Sequence, residues 1–324
     1  MRNILAFLFL ALLLAACRQK PLPKADTPAG RQKAPANREV AFPMPQVPDF
    51  LVGTEDRVRY ALENFWHRYD FNDTTQQNRE VAEQGFANFL SLLSHADSAL
   101  AACAIDRYLA KGFAPESLRH IHQALIRHYL DHPDSPLRND ELYLHFLRRQ
   151  LPLYADADAD VAERERCAFL LQLVGRNRVG TVAHDFAFVD RHGKRGTLHK
   201  LQSPYTLLLF NDLDCESCRE QMPFLVSDPL LQQKALKVLA VYPEPDTEQW
   251  RSAQEHLPAA WVDACSPDGE IRTRALYYLP ALPALYLLDA QKRVILKDAR
   301  PEQLRQFIAT HIVTCGVLEH IIVC

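Results

Sequence analysis

The spacing of apolar residues changes once along this chain, and that change limits the folds open to it. Before about Gly175, apolar positions recur every three or four residues: Val58, Ala61, Leu62, Phe65 and Tyr69; Ala82, Phe86, Phe89, Leu90 and Leu93; Leu118, Ile121, Leu125 and Tyr129. Such stripes mark helices with one buried face. The third stripe is opened by Pro115-Glu116 and closed by His132-Pro133, both boundary signals. Further helices are predicted over 96–111, 139–151 and 159–174. After Gly175 the period shortens. "DFAFVD" (185–190) and the turn at His192-Gly193-Lys194 predict a hairpin. "YTLLLFN" (205–211) is a continuous apolar run, as expected of a strand buried on both faces. A helix from Cys215, the strand "LKVLAVY" (236–242), a helix over 246–256 and a short strand near Trp261 follow. "ALYLLD" (284–289) and "RVILKD" (293–298) predict a strand pair, and 301–312 a last helix. Alternating strands and helices indicate an α/β sheet covered on both faces, preceded here by an all-α bundle.

The ends of the chain carry different signals. "MRNILAFLFLALLLAAC" places Arg2 before an apolar run from Ile4 to Leu14, then two alanines and Cys17. That is a secretory layout, too short to span a bilayer. Leu14-Ala15-Ala16-Cys17 resembles the lipobox of bacterial lipoproteins. The resemblance implies cleavage before Cys17, lipidation of Cys17 and a lipid bilayer as partner, several acyl chains being enough for stable anchoring. Residues 18–50 are polar and studded with proline, without periodic apolar positions, and read as a flexible tether. At ~3.1 Å per residue its reach is at most about 90 Å. The expected layout is thus a signal over 1–17, a tether over 18–50, a helical domain over 51–178, an α/β domain over 179–313 and an apolar tail over 314–324.

The 324 residues leave room for two domains, and a net charge of −3 with 24% charged residues gives no sign of a nucleic-acid partner. Seven cysteines follow Cys17: 103, 167, 215, 218, 265, 315 and 324. Cys103 and Cys167 fall on predicted helices and read as buried apolar residues that could bridge if adjacent, and Cys265 reads as structural. Cys315 and Cys324 bracket the tail "CGVLEHIIVC" and could close it. His128 and His132 stand four apart on one helix. Lacking a third ligand at matching spacing, they read as a solvated helix end rather than a metal site.

"FNDLDCESCREQMPFL" (210–225) puts Cys215 and Cys218 where the apolar strand ends. A structural zinc site needs a second ligand pair, and the chain has no second CxxC. A permanent bridge over so short a loop would constrain the unfolded chain little. Redox chemistry suits the position better. A cysteine opening a helix lies beside unpaired N–H groups and the positive end of the dipole, which favour thiolate. A second cysteine one turn on can resolve the mixed disulfide. Cys215 is the candidate nucleophile and Cys218 the candidate resolving thiol. No metal or cofactor is called for.

From about Gly180 the chain resembles the thioredoxin superfamily, especially its membrane-tethered TlpA/ResA-like branch. "HDFAFVDRHGKRGTL" (184–198) is similar to that branch's opening strand and turn, and the apolar strand into CxxC follows in the same order. "LPALPALYLLD" (279–289) is similar to the segment carrying the family's cis-proline, which falls on Pro283, with Pro280 the alternative. The resemblance implies a thioredoxin-like fold and backbone at Leu282 and Pro283 that pairs with an extended substrate. Its expected partners are disulfide-containing envelope proteins and a thiol electron donor, and its expected setting is the cell envelope, lipid-anchored and facing the periplasm. The whole layout resembles thioredoxin-like lipoproteins with an uncharacterised helical N-terminal domain.

The chain departs from that family at several places. The tryptophan usual before the first cysteine is absent, Asp212, Leu213 and Asp214 filling the stretch; Leu209 stands where thioredoxin has a buried acid; Glu216 and Ser217 separate the cysteines. Asp212, Asp214, Glu216 and Glu220 outnumber Arg219 near the nucleophile, and like charge disfavours a thiolate. The expected activity is therefore thiol–disulfide exchange in the reducing or isomerising direction. The alternative is an envelope scaffold lipoprotein whose thioredoxin-like module is redox-inert. A thiol peroxidase ranks last, since Asp212 occupies the place of that enzyme's threonine.

Overall fold

The computed structural model describes residues 41–313, except 74, 115, 155–160, 246 and 254–256. The signal, Cys17, most of the tether, Cys315, Cys324 and the apolar tail lie outside the described residues. The described residues form one compact unit with a helical N-terminal half and an α/β C-terminal half.

The helical half contains α1 (Thr54–Asn64), α2 (Gln76–Leu93), α3 (Ser98–Gly112), α4 (Glu116–Leu130), α5 (Asp140–Gln150) and α6 (Val161–Val174). Three of these open on side-chain caps: Thr75 accepts from the Asn78 N–H, Asp97 from Ala99 and Leu100, and Asn139 from Leu142. Each satisfies N–H groups that the first turn leaves orphaned. The apolar stripes meet in one core that includes Leu62, Phe65, Phe86, Phe89, Tyr108 and Phe146.

Two expectations are corrected here. The tether does not stay free to residue 50, because Phe42 is buried and stacked 5.0 Å from the Phe65 ring. It lies on Gly85, where an added Cβ would come within 2.2 Å of it. Cys103 is exposed rather than buried. It sits on the outer side of α3, whose inner side is built from Leu100, Ala101, Ala104, Ile105 and Tyr108. Cys167 is buried with its thiol on the Leu147 carbonyl at 3.3 Å, and both thiols are free.

The α/β half is a seven-stranded sheet in the order β2-β1-β5-β4-β3-β6-β7. Its strands are β1 (Ala187–Asp190), β2 (Arg195–Thr197), β3 (Tyr205–Phe210), β4 (Leu236–Tyr242), β5 (Val262–Cys265), β6 (Ala284–Leu288) and β7 (Val294–Leu296). The interior strand β3 runs parallel to β4 and antiparallel to β6. The hairpin β1–β2 turns at Gly193, φ 78°, while Asp190 accepts the N–H groups of His192 and Lys194. Along β3 the side chains alternate between two cores. Leu207 and Leu209 pack with Met222 and Leu225 of α7 (Glu216–Ser227) and Leu304 of α10 (Pro301–Phe307). Leu208 and Phe210 pack with Phe186, Phe188, Tyr277 and Tyr286 on the other face. Each such fully buried side chain contributes about 1.5–3 kcal/mol. Between β4 and β6 lie the short helices α8 (Thr247–Ser252) and α9 (Glu270–Thr273).

Candidate active site

β3 ends at the carboxyl edge of the sheet, and its direction delivers the next residues to the surface. The Asn211 N–H continues the ladder to the Val241 carbonyl. The chain then turns, with the Asp212 carboxylate accepting the Asp214 N–H at 3.1 Å and the Asp212 carbonyl facing the Cys215 N–H at 3.4 Å. Gln249 of α8 donates to the Asp214 carboxylate at 2.6 Å and accepts from the Tyr242 hydroxyl at 2.9 Å. Arg219 reaches back to the Leu213 carbonyl at 3.3 Å. No sequence signal pointed to Gln249. It pins the turn from a helix more than thirty residues downstream.

Cys215 is the N-cap of α7, with extended backbone at φ −79° and ψ 116°. Its sulfur accepts the Cys218 N–H at 3.1 Å and its thiol donates to the Leu282 carbonyl at 3.2 Å. Cys215 is partly exposed, whereas Cys218 is 2% exposed. Burial, and then the hydrogen bond with Cys215, pushes the Cys218 thiol up to about 12. One sulfur is therefore presented at a helix N-terminus and the other is kept behind it as a neutral thiol. The Leu282–Pro283 peptide is cis, whereas the bond before Pro280 is not.

The acids around the pair do not act as a group. Asp214, Glu216 and Glu220 are exposed and Asp212 is half-buried, so solvent screens most of their charge. Leu209 is fully buried in the sheet below. Cys265 is buried against Tyr242 and Trp250, with Leu213 of the turn packed on them. His128 and His132 lie on α4 and the turn after it, the first against the Tyr129 ring and the second beside Asp134.

The halves of the molecule match known proteins differently. Residues 16–177 match the family described as a domain of unknown function, DUF5106. The chain belongs to the DUF5106 family. Across more of its length this DUF5106 chain is similar to a crystal structure of a thioredoxin-like protein from Bacteroides caccae. That protein is 29% identical, with a TM-score of 0.76 over 83% of this chain and 98% of the other. Two Bacteroides fragilis structures match its C-terminal part. The C-terminal domain of an uncharacterised protein is 35% identical over 41% of this chain and 98% of that one, with a TM-score of 0.40. A conserved protein of unknown function is 38% identical over 40% and 98%, with a TM-score of 0.38. No curated protein matches the chain. The C-terminal half of this DUF5106 protein is a thioredoxin-like fold, as its sheet and its likeness to the Bacteroides caccae structure show.

Proposed function

We propose that this chain is a membrane-tethered thiol–disulfide oxidoreductase of the cell envelope, working as a reductase or isomerase. The observation that carries the reading is the unequal pair: Cys215 half-open at the α7 N-terminus and Cys218 buried one turn behind it. In the first step Cys215, as thiolate, attacks one sulfur of a substrate disulfide. The substrate S–S bond breaks, a mixed disulfide to Cys215 forms, and the released substrate thiolate takes a proton. Cys218 then gives up its proton and attacks the Cys215 sulfur. The second substrate thiol leaves, and a Cys215–Cys218 disulfide remains. The substrate gains two electrons and the protein loses two, so a dithiol donor must return the pair to the reduced state.

The backbone at Leu282 and Pro283 borders the nucleophile, where an extended substrate strand would pair. The direction rests on the surroundings of Cys215: from Asp212 to Glu220, Arg219 is the one basic side chain against four acidic ones, so local charge does little to stabilise its thiolate. Strong oxidants owe their potential to a stabilised reduced form. Cys17 supplies the lipid anchor in this reading, with the folded part facing the periplasm and disulfide-containing envelope proteins as substrates.

The test is the redox equilibrium of the full chain in graded thiol/disulfide buffers, read as alkylated Cys215 by mass spectrometry, with Cys215→Ser as control. A reversible two-electron transition at the reducing end supports the reading. A potential near that of strong oxidants reverses the direction. Thiols that never pair leave a redox-inert thioredoxin-like module on an envelope scaffold.

A further inference from the structure

The segment from Arg274 to Pro283 leaves α9, crosses irregularly between the two halves and enters β6 beside Cys215. It has no ladder of its own, yet six of its ten carbonyls have side-chain partners, as a largely buried irregular backbone requires. Arg176 donates to the carbonyls of Arg274 and Ala275, and Asn177 to that of Leu276 at 2.9 Å. The Tyr278 carbonyl accepts from the buried Tyr286 hydroxyl at 3.0 Å, and Leu279 from Arg272 at 3.3 Å. Further on, the Leu282 carbonyl meets the Cys215 thiol.

The side chains divide the same way. Leu276, Tyr277 and Leu279 pack in the α/β core, whereas Tyr278 between them packs in the helical core. Its hydroxyl donates to the carboxylate of Asp131, the residue just past α4. Tyr143 of α5 is buried close enough to feel the charge of the same carboxylate. Arg138 stands 6.0 Å over the Tyr278 ring and is ion-paired with Asp298, which follows β7. Among the described residues, Tyr278 is thus the aromatic of the α/β half that is seated in the helical core, four residues before Leu282.

We propose that the helical domain acts on the thiol–disulfide site as its positioning element, with Tyr278 and Asp131 as positioning residues. By fixing Tyr278, the helical half sets the path of the segment that brings Leu282 and Pro283 against Cys215. The proposal rests on the oxidoreductase reading and gives the helical domain its part in that activity. Its effect falls on disulfides carried by an extended peptide, which must lie along Leu282 and Pro283. A small disulfide needs only the Cys215 sulfur.

The test uses the pre-reduced full chain, with glutathione supplying electrons for turnover on insulin and a single turnover followed with 5,5′-dithiobis(2-nitrobenzoic acid). Tyr278→Phe keeps the ring and removes the hydroxyl; Asp131→Ala removes the acceptor; Asp131→Asn keeps an acceptor oxygen. A small displacement at a reacting centre costs up to about 100-fold. We expect KM for insulin to rise about five-fold in Tyr278→Phe and Asp131→Ala, with kcat and the small-disulfide rate within about twofold of wild type. Asp131→Asn should recover most of the loss. Amide hydrogen exchange over 276–283 should quicken in Tyr278→Phe while α7 keeps its protection. Unchanged insulin kinetics and unchanged exchange in both Tyr278→Phe and Asp131→Ala overturn the proposal, as does an equal fall with both substrates. An inert wild-type chain overturns the redox reading and this one with it; an active wild type with indifferent variants overturns only this one.

Discussion

The Cys215 thiol donates to the carbonyl of Leu282 at 3.2 Å, joining the start of α7 to the segment that enters β6. The same sulfur accepts from the Cys218 N–H. Two segments far apart in sequence therefore converge on one half-exposed sulfur. Cys218 is set differently, buried behind that sulfur with the Cys215 thiol and Asp212 as its neighbours.

That difference predicts unequal labelling. In the reduced native chain at pH 7–8, iodoacetamide should modify Cys215 and the exposed Cys103, and leave Cys218, Cys167 and Cys265 untouched until denaturant is added. Peptide mass spectrometry over a time course reads this directly. Cys218 labelled as fast as Cys215 would contradict the assignment of roles.

Single-cysteine variants should separate the two steps. Cys218→Ser should accumulate a mixed disulfide with a substrate peptide, because attack proceeds and resolution does not. Cys215→Ser should accumulate none. Non-reducing gels with a labelled peptide disulfide check both.

His122 makes the helical half sensitive to acid. Its ring is 3% exposed, with Nδ1 2.8 Å from the Tyr108 hydroxyl and the Phe71 ring packed on it. Burial first, and then the charge of His120, lowers it from 6.5 to about 4. The unfolded chain thus takes up this proton more readily than the folded one. Stability is complete above pH 6.5 and falls as pH drops toward 4, by up to about 3 kcal/mol. Denaturant titrations at pH 7, 5.5 and 4.5 should show this loss, and His122→Gln should flatten that part of the profile.

The docking of Phe42 should be measurable as stability. Phe42→Ala removes a buried ring and should cost about 3–5 kcal/mol. Gly85→Val drives side-chain atoms into the same ring and should cost about 1–3 kcal/mol. Urea midpoints measure both, and near-zero values would mean that the segment before α1 does not hold the bundle together.

The Arg138–Asp298 pair ties the halves of the protein from the other side of Tyr278. Both side chains are 16% exposed, and burial pushes the Asp298 carboxyl up against the pull of Arg138. Arg138→Met leaves that carboxylate without its partner and should cost about 3–5 kcal/mol. Adding Asp298→Asn should return much of the loss, as a double-mutant cycle in urea would show.

Much of this was readable from residue order alone, where the physics is local. The change of apolar period near Gly175 set helices before it and strands after it, because one face of a helix or both faces of a central strand must be buried. The run "YTLLLF" predicted a strand covered on both sides, and Cys215 at its end predicted a helix cap. Other features depend on which surfaces meet. Phe42 sits in a proline-studded stretch whose composition signals a tether, and only the groove over Gly85 buries it. Cys103 reads as buried by residue type alone, but it lies off the α3 stripe of Leu100, Ala101, Ala104, Ile105 and Tyr108 and faces outward. The acids beside Cys215 counted as a cluster in sequence, but the turn and the first helical turn spread three of them into solvent.

Tyr278 shows the division most clearly. In sequence it is one of two adjacent tyrosines, Tyr277 and Tyr278, with nothing to rank one above the other. Successive residues of an irregular segment point to different sides, so one enters the α/β core and the other the helical core. Its partner Asp131 is 147 residues away, beyond any periodicity or motif. The sequence by itself determined the elements, the order of the strands along the chain and the cysteine pair at the end of β3. Tertiary packing alone decided that the helical half grips the segment facing that pair, since long-range contacts follow from which buried surfaces fit together.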